Sequence, residues 1–91
     1  MKMLAFSVRD HQVGAFAQPF FLPTEGAAIR AFGDEVQKVG ERNHMAQHPG
    51  DYALFLIGAF DDEAGVFVAY ESPKQIATAS QFAKEFAKGV H

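Results

Sequence analysis

The chain begins with an alternation of apolar and small or polar residues over Lys2 to Arg9. Leu4, Phe6 and Val8 fall on one side of an extended backbone, and the residues between them fall on the other side. A period of two residues is typical of a strand with one buried face. The pattern therefore predicts a first β-strand over this segment.

The segment from Asp10 to Pro23 shows no regular period. Gly14, Pro19 and Pro23 are incompatible with a regular helix there. Its large apolar side chains, which need burial or a partner, are Phe16, Phe20, Phe21 and Leu22. We expect a long loop that contains a short edge strand.

A helical period begins at Thr24. Apolar residues recur three and four positions apart from Ala28 to Val39. Thr24 is a favourable N-cap, and Glu25 suits the positive end of the helix dipole. We predict a first helix from Thr24 to Val39, ended by Gly40. Two internal glycines each cost up to about 1 kcal/mol relative to alanine, so this helix depends on packing.

An acidic turn, Asp61 to Gly65, separates two β-prone runs. In the first run one alternating set is Tyr52, Leu54, Leu56 and Phe60, and the other is Ala53, Phe55, Ile57 and Ala59. Because both sets are apolar, the pattern favours a central strand covered on both faces. With Val66 to Tyr70 as its partner strand, we predict an antiparallel hairpin in which Gly65 has positive φ. The stretch from Glu41 to Asp51 is polar, and its last residues, His48 to Asp51, are predicted as a turn that leads into the next element.

A second helix is predicted to start near Pro73. Ser72 is a capping residue, Pro73 suits the first helical position, and Gln75 completes a capping box. One apolar stripe follows, made of Ile76, Ala79, Phe82, Ala83, Phe86 and Val90. The order of elements then predicts an α+β fold, in which a small antiparallel sheet of three to four strands is packed by two helices.

Length and composition limit the classes of function. The 91 residues, 48% of them hydrophobic and ten of them phenylalanine, predict a single domain over residues 1–91. The absence of cysteine excludes disulfides and sulfur-ligated metal sites. The longest apolar run, Ala53 to Ile57, is too short to cross a bilayer, and the first residues lack the pattern of a secretory signal. We expect a cytosolic protein with no membrane association.

The spacing of polar residues offers no candidate for catalysis or for a cofactor. His44 and His48 could share a helical face as metal ligands, but no further ligand lies at a diagnostic spacing. The acidic turn lacks the ligand order of a calcium loop, and no serine has the context of a nucleophile elbow. We expect neither enzyme activity nor a bound metal or cofactor.

The aromatic density between Phe16 and Phe21 is unusual for an irregular segment. Proteins that bind single-stranded DNA combine aromatic faces for base stacking with cations for the phosphates. The candidate DNA contacts are Arg9, His11, Phe16, Phe20, Phe21 and Arg30. Alternatively, the phenylalanines seal the sheet edge or a homodimer interface, and the residues by themselves favour this second interpretation. The net charge of −3 requires any DNA site to be a local patch.

Five ordered segments carry a resemblance to a known family. They are residues 19–24, 28–34, 48–54, 58–65 and 72–74, and together they span most of the chain. In this order and spacing, the chain resembles the small non-structural protein of gokushovirus-type microviruses, the Microviridae. The resemblance implies a DNA-binding protein that acts in the host bacterial cytoplasm during synthesis of the single-stranded phage genome.

Two functions are compatible with these observations. The first is a single-stranded DNA-binding accessory protein of phage replication. The second is an interaction module that docks onto the phage replication initiator or the assembling shell. A homodimer or larger homo-oligomer is expected in either case, because ten phenylalanines exceed what one small sheet and two helices cover. The candidates for core or interface are Phe20, Phe21, Phe55 and Phe67.

Overall fold

The computed structural model describes residues 2–38 and 43–83, which form one antiparallel sheet, one main helix and one short helix. The strands are β1 (Lys2–Asp10), β2 (Ala15–Phe16), β3 (Phe20–Leu22), β4 (Tyr52–Asp61) and β5 (Val66–Thr78). The helices are α1 (Glu25–Gln37) and the single turn α2 (His44–Gln47), with 3₁₀ turns at Pro49–Asp51 and Ala79–Gln81. The predicted α+β class is confirmed. Within these ranges no helix combines the length and apolar character that a bilayer crossing requires.

Strands β1 and β4 form the centre of the sheet. β4 pairs antiparallel with β1 on one side and with β5 on the other, so its predicted central position is confirmed. The prediction that both of its faces are covered is not met within the described residues, because α1 packs on one face and exposed aromatic rings lie on the other. On the outer edge of β1, β2 pairs beside Arg9 and Asp10, and β3 pairs beside residues 4–6. The aromatic segment therefore holds two short edge strands where the sequence predicted one.

Helix α1 lies on one face of the sheet. Its N-terminus is capped as predicted, because the Thr24 Oγ1 accepts a hydrogen bond from the Ala27 N–H at 3.1 Å. The larger side chains of the core between helix and sheet are Phe6, Phe32, Val36, Leu54 and Leu56. Their removal from water is the main source of stability. The helix prediction is confirmed to Gln37, whereas Val39 and Gly40 lie outside the described residues.

Two tight hairpins are built on the same spacing of aspartate and glycine. In the predicted β4–β5 hairpin, Asp61 Oδ1 accepts from the N–H groups two and three residues on, at 3.0 and 3.2 Å, and Gly65 has a φ of 68°. In the β1–β2 turn, Asp10 Oδ1 accepts from the corresponding N–H groups at 2.9 and 3.3 Å, and Gly14 has a φ of 77°. Glycine adopts this positive φ without strain.

The predicted second helix is wrong for residues 73–83. Lys74 and Gln75 belong to β5, where they pair with Leu56 and Phe55 of β4. The strand tolerates Pro73 because the β4–β5 register is irregular next to it. Pairing with the central strand outweighs the local helix signal. The rest of the predicted helix, residues 84–91, lies outside the described residues.

After β5 the chain turns back towards α1. The Thr78 N–H donates to Gln81 Oε1 at 2.8 Å, an interaction of the capping-box kind that the sequence prediction had placed earlier in the chain. The following Phe82 ring packs edge-on against Phe32, with the ring centroids 6.1 Å apart. A Cβ atom at Gly33 would lie only 2.7 Å from the Phe82 ring. Gly33 is therefore the position at which α1 makes room for this ring.

Candidate functional site

The sheet has one face covered by α1 and an opposite face, called here the open face. Residues paired directly across antiparallel strands share a face. Since Phe6 lies in the core under α1, the odd-numbered residues of β1 belong to the open face. Pairing adds Phe16 beside Arg9, Phe21 beside Ala5, Phe55 beside Ser7, and Phe60 beside both Met3 and Phe67. Phenylalanine thus recurs on four strands of the open face.

An irregularity in β4 puts Phe55 and Phe60 on the same face. The register between β1 and β4 shifts at this point, so that Gly58 pairs with Ala5 but Leu56 pairs with Phe6. An extra residue in one strand reverses the alternation of side chains beyond it. The prediction that Phe60 shares a face with Leu54 and Leu56 is therefore wrong.

Phe21, Phe60 and Phe67 form one group of rings, the distal cluster. The Phe21 ring meets the other two rings edge-on, with centroid separations of 6.2 Å to Phe60 and 6.4 Å to Phe67. Gly58 lies below them, and a Cβ atom there would be 3.0 Å from the Phe67 Cζ and 2.5 Å from the Val68 carbonyl oxygen. The absence of a side chain at Gly58 lets the Phe67 ring lie directly over β4.

Arg9, Phe16 and Phe55 form a second group, the proximal cluster. The rings of Phe16 and Phe55 meet edge-on with their centroids 5.3 Å apart. The guanidinium carbon of Arg9 lies 5.3 Å from the centre of the Phe16 ring, within the range of a cation–π interaction. The Arg9 Nε also donates to the Nδ1 of His11 at 3.3 Å. Three of the predicted DNA contacts, Arg9, His11 and Phe16, are therefore adjacent.

Ser7 holds the proximal cluster in place. It is buried between the two clusters, and its hydroxyl donates to the Ala17 carbonyl at 2.6 Å. The Ala17 N–H donates in turn to the Val8 carbonyl at 2.8 Å. These two bonds fasten the chain directly after Phe16 to β1, so the exposed ring projects from an anchored backbone.

The rings of both clusters reach solvent. The exposed fractions are 40% for Phe16, 43% for Phe21 and 48% for Phe67, while Phe55 and Phe60 are half-buried. Ring surface of this kind is unfavourable in water, and a contiguous exposed apolar patch marks a binding site. The open face can therefore stack planar groups or pack against apolar ones.

The structure separates the other predicted DNA contacts from this face. Phe20 points to the side of the core, where its ring stacks on Phe6 with the centroids 5.8 Å apart. Arg30 is exposed on α1, and α1 covers the opposite face of the sheet. Phe55 and Phe67, predicted as core or interface residues, belong to the open face, and the interface part of that prediction stays a prediction. Phe60 was not a candidate, because the irregularity in β4 has no signal in the alternation of apolar residues.

His44 and His48 line a separate depression of about 450 Å³. It is shared by Asp10, Asp51 and Tyr52, and α2 ends before His48. Partial burial and the nearby Asp10 carboxylate raise the pKa of the Tyr52 phenol above its usual value. Among the described residues, no three potential metal ligands converge in this depression or elsewhere.

Comparison with known proteins identifies the family. The family model described as Phage ORF5 protein matches residues 3–82, a range that includes both clusters of the open face. No curated protein and no solved structure matches the chain. The match confirms the expectation that this is a phage protein. The chain belongs to the Phage ORF5 protein family.

Proposed function

We propose that this phage protein binds single-stranded DNA through the open face of its sheet, as an accessory protein of genome replication or single-strand synthesis in the host bacterial cytoplasm. The observation that supports this function is the set of solvent-exposed phenylalanines on the open face, with Arg9 positioned over Phe16. Sheets with helices on one side and exposed aromatic rings on the other bind single-stranded nucleic acid in this way.

In this proposal the bases stack on the exposed rings and the phosphates lie near Arg9. The stacking platforms are Phe16 in the proximal cluster and Phe21 and Phe67 in the distal cluster. An arginine beside an aromatic ring can contact a phosphate and also stack on a base. Because every base has an aromatic face, we expect little sequence preference.

The spacing of the two clusters sets the length of DNA that the open face engages. Phe16 pairs with Arg9 and Phe21 pairs with Ala5, positions that lie about 13 Å apart along β1. At a stacked spacing of about 3.4 Å, roughly four nucleotides cover that distance. A dinucleotide of about 7 Å therefore reaches one cluster only, whereas a strand of about eight nucleotides spans both.

Charge makes a small contribution to the proposed binding. The net charge of −3 opposes attraction of DNA at long range, and Arg9 is the cation that the proximal cluster supplies. Each phosphate neutralised on a single strand contributes a slope of about −0.7 to the dependence of log Kobs on log salt. We expect a shallow slope of that size and a moderate affinity carried by stacking.

Fluorescence anisotropy with a labelled oligonucleotide tests the proposal. Phe16→Ala and Phe21→Ala should each weaken binding by about 1 to 3 kcal/mol, the usual contribution of a stacked base. Val13→Ala removes an exposed apolar side chain outside both clusters and is the matched control. Arg30→Ala should also leave binding unchanged, since Arg30 is on the other side of the molecule from the open face.

A second function is favoured by the apolar character of the distal cluster, whose three members are all phenylalanine. Large aromatic side chains are equally suited to protein interfaces. On this alternative the open face docks onto the phage replication initiator or the assembling shell and contacts no DNA. Saturable binding of an oligonucleotide at low salt, lost in Phe16→Ala, excludes it.

A further inference from the structure

The outer edge of β5 is an unpaired sheet edge. In the strand order β2-β1-β4-β5, β5 is terminal, and no other described strand pairs along its outer side. The opposite edge of the sheet differs, because β2 and β3 cover much of β1 there. An uncovered edge presents backbone N–H and C=O groups that can pair with a strand of another chain.

The apolar part of this edge is limited to Val66 to Tyr70. Its side chains are exposed, with Val68 at 54%, and the five residues include no charge and no proline. The next part of β5 contains Glu71 and Pro73 and has an irregular register with β4. Charges, prolines and irregularities are the features that protect sheet edges from pairing. Within β5, only Val66 to Tyr70 lacks these protective features.

We propose that Val66 to Tyr70 pairs antiparallel with the same segment of a second copy of this chain, with the two-fold axis at Val68. In this register Val68 faces Val68 of the second copy, and Phe67 faces Ala69. Phe67 and Ala69 both belong to the open face, since they pair with Phe60 and Gly58. Each large ring then lies beside a small residue, so the segment is complementary to itself.

Pairing at β5 would make one continuous sheet from two copies. The open faces would then join, with the two distal clusters next to each other across the axis. A second copy also provides the cover for the exposed apolar side chains of β5 that the chain itself lacks among its described residues. The pairing is formed by the backbone edge of β5 and does not require DNA, so it can be tested without DNA; Phe67 belongs to both the edge and the open face.

Sedimentation velocity at micromolar concentration tests the pairing. The parent should have twice the 10.0 kDa mass of one chain. Val68→Lys places like charges opposite each other at the axis and should give a single-chain mass with an unchanged far-UV circular dichroism spectrum. Val13→Lys, at a 73% exposed turn position, should keep the parent mass. A parent of single-chain mass, or a Val68→Lys variant of double mass, overturns the proposal.

Cysteine cross-linking tests the register, because the chain has no cysteine of its own. Directly opposed Cβ atoms lie about 4.5 to 5.5 Å apart, close to the distance that a disulfide bridges. Val68→Cys should therefore form a covalent dimer under mild oxidation, and Val13→Cys should not. A mixture of Phe67→Cys and Ala69→Cys chains should cross-link more than either variant alone. Equal cross-linking of Val13→Cys and Val68→Cys contradicts the assigned register.

Discussion

Phe20 and Phe21 are neighbours in sequence and lie on opposite faces of β3. The Phe20 ring stacks on Phe6 in the core, and the Phe21 ring belongs to the distal cluster, 43% exposed. Successive side chains of a strand point in opposite directions, so adjacent phenylalanines can have separate roles. The sequence identified both as candidates for the same site, and the structure distinguishes them.

This difference predicts that the two truncations lower stability by unequal amounts. Phe20→Ala should lower the free energy of unfolding by about 3 kcal/mol, because it leaves a cavity beside Phe6. Phe21→Ala removes a ring that is only partly buried, and it should cost less than half as much. Urea denaturation followed by circular dichroism measures both. Equal losses of stability would show that Phe21 is part of the core as much as Phe20 is.

We expect the stability of the protein to depend on pH through the carboxylate of Asp61. The N–H groups of Ala64 and Glu63, which donate to its carboxylate, lower the pKa of Asp61 in the folded state. A lowered pKa means that the charged form stabilises the fold above the unfolded pKa, and that this contribution is lost as the pH falls through the folded pKa. Stability should therefore decrease as the pH is lowered below about 4.

The variants Asp61→Asn and Asp62→Ala distinguish the contribution of Asp61 to the pH dependence of stability from the contributions of other carboxylates. Asp61→Asn should flatten the acid limb of a plot of melting temperature against pH, because the amide keeps an acceptor but has no charge to lose. Asp62→Ala, an exposed change at the same turn, should leave the limb in place. An acid limb identical in the parent and in Asp61→Asn contradicts the role of Asp61.

At the scale of elements, the sequence predicted those parts whose signals are local. The alternation in β1, the cap and period of α1, and the turn between β4 and β5 each depend on residues close together in the chain. β2 could also have been predicted, since Asp10 and Gly14 repeat the spacing of Asp61 and Gly65. The end of β5 could not, because its pairing with β4 outweighs the helix signal at Pro73.

The candidate site was predictable in part for the same reason. Arg9 and Phe16 lie on either side of one tight turn and His11 lies within it, so their proximity in sequence becomes proximity in space. The contacts of Phe21 with Phe60 and Phe67 join distant segments. They depend on the register irregularity in β4, which alternation alone cannot reveal.

Alanine substitutions at two glycines of α1 should change the stability of the protein in opposite directions. A Cβ atom at Gly26 would have no other atom within 4 Å, so Gly26→Ala should stabilise the protein by up to about 1 kcal/mol through helix propensity. Gly33→Ala would place its Cβ 2.7 Å from the Phe82 ring and should destabilise the protein by about 1 to 3 kcal/mol. Thermal denaturation of both variants tests this, and stabilisation by Gly33→Ala would show that Phe82 does not pack there.

At the scale of the whole molecule, the two faces of the sheet are used differently. One face carries α1 and the core, and the other carries five phenylalanines with Arg9 at one end. A domain of this size needs only one buried face to be stable, so the rings on the open face are available for binding. The net charge of −3 makes stacking the main contribution to any binding of DNA.

Binding of single-stranded DNA by the open face is tested by titrating the parent and Phe16→Ala with labelled oligonucleotides of increasing length at low salt, followed by anisotropy. We expect saturable binding by the parent that strengthens between about two and about eight nucleotides, as the strand comes to span both clusters. Phe16→Ala, with an unchanged melting temperature, should lose most of that gain. Absence of saturable binding by the parent, or equal binding by Phe16→Ala at every length, would show that the open face does not bind DNA through Phe16.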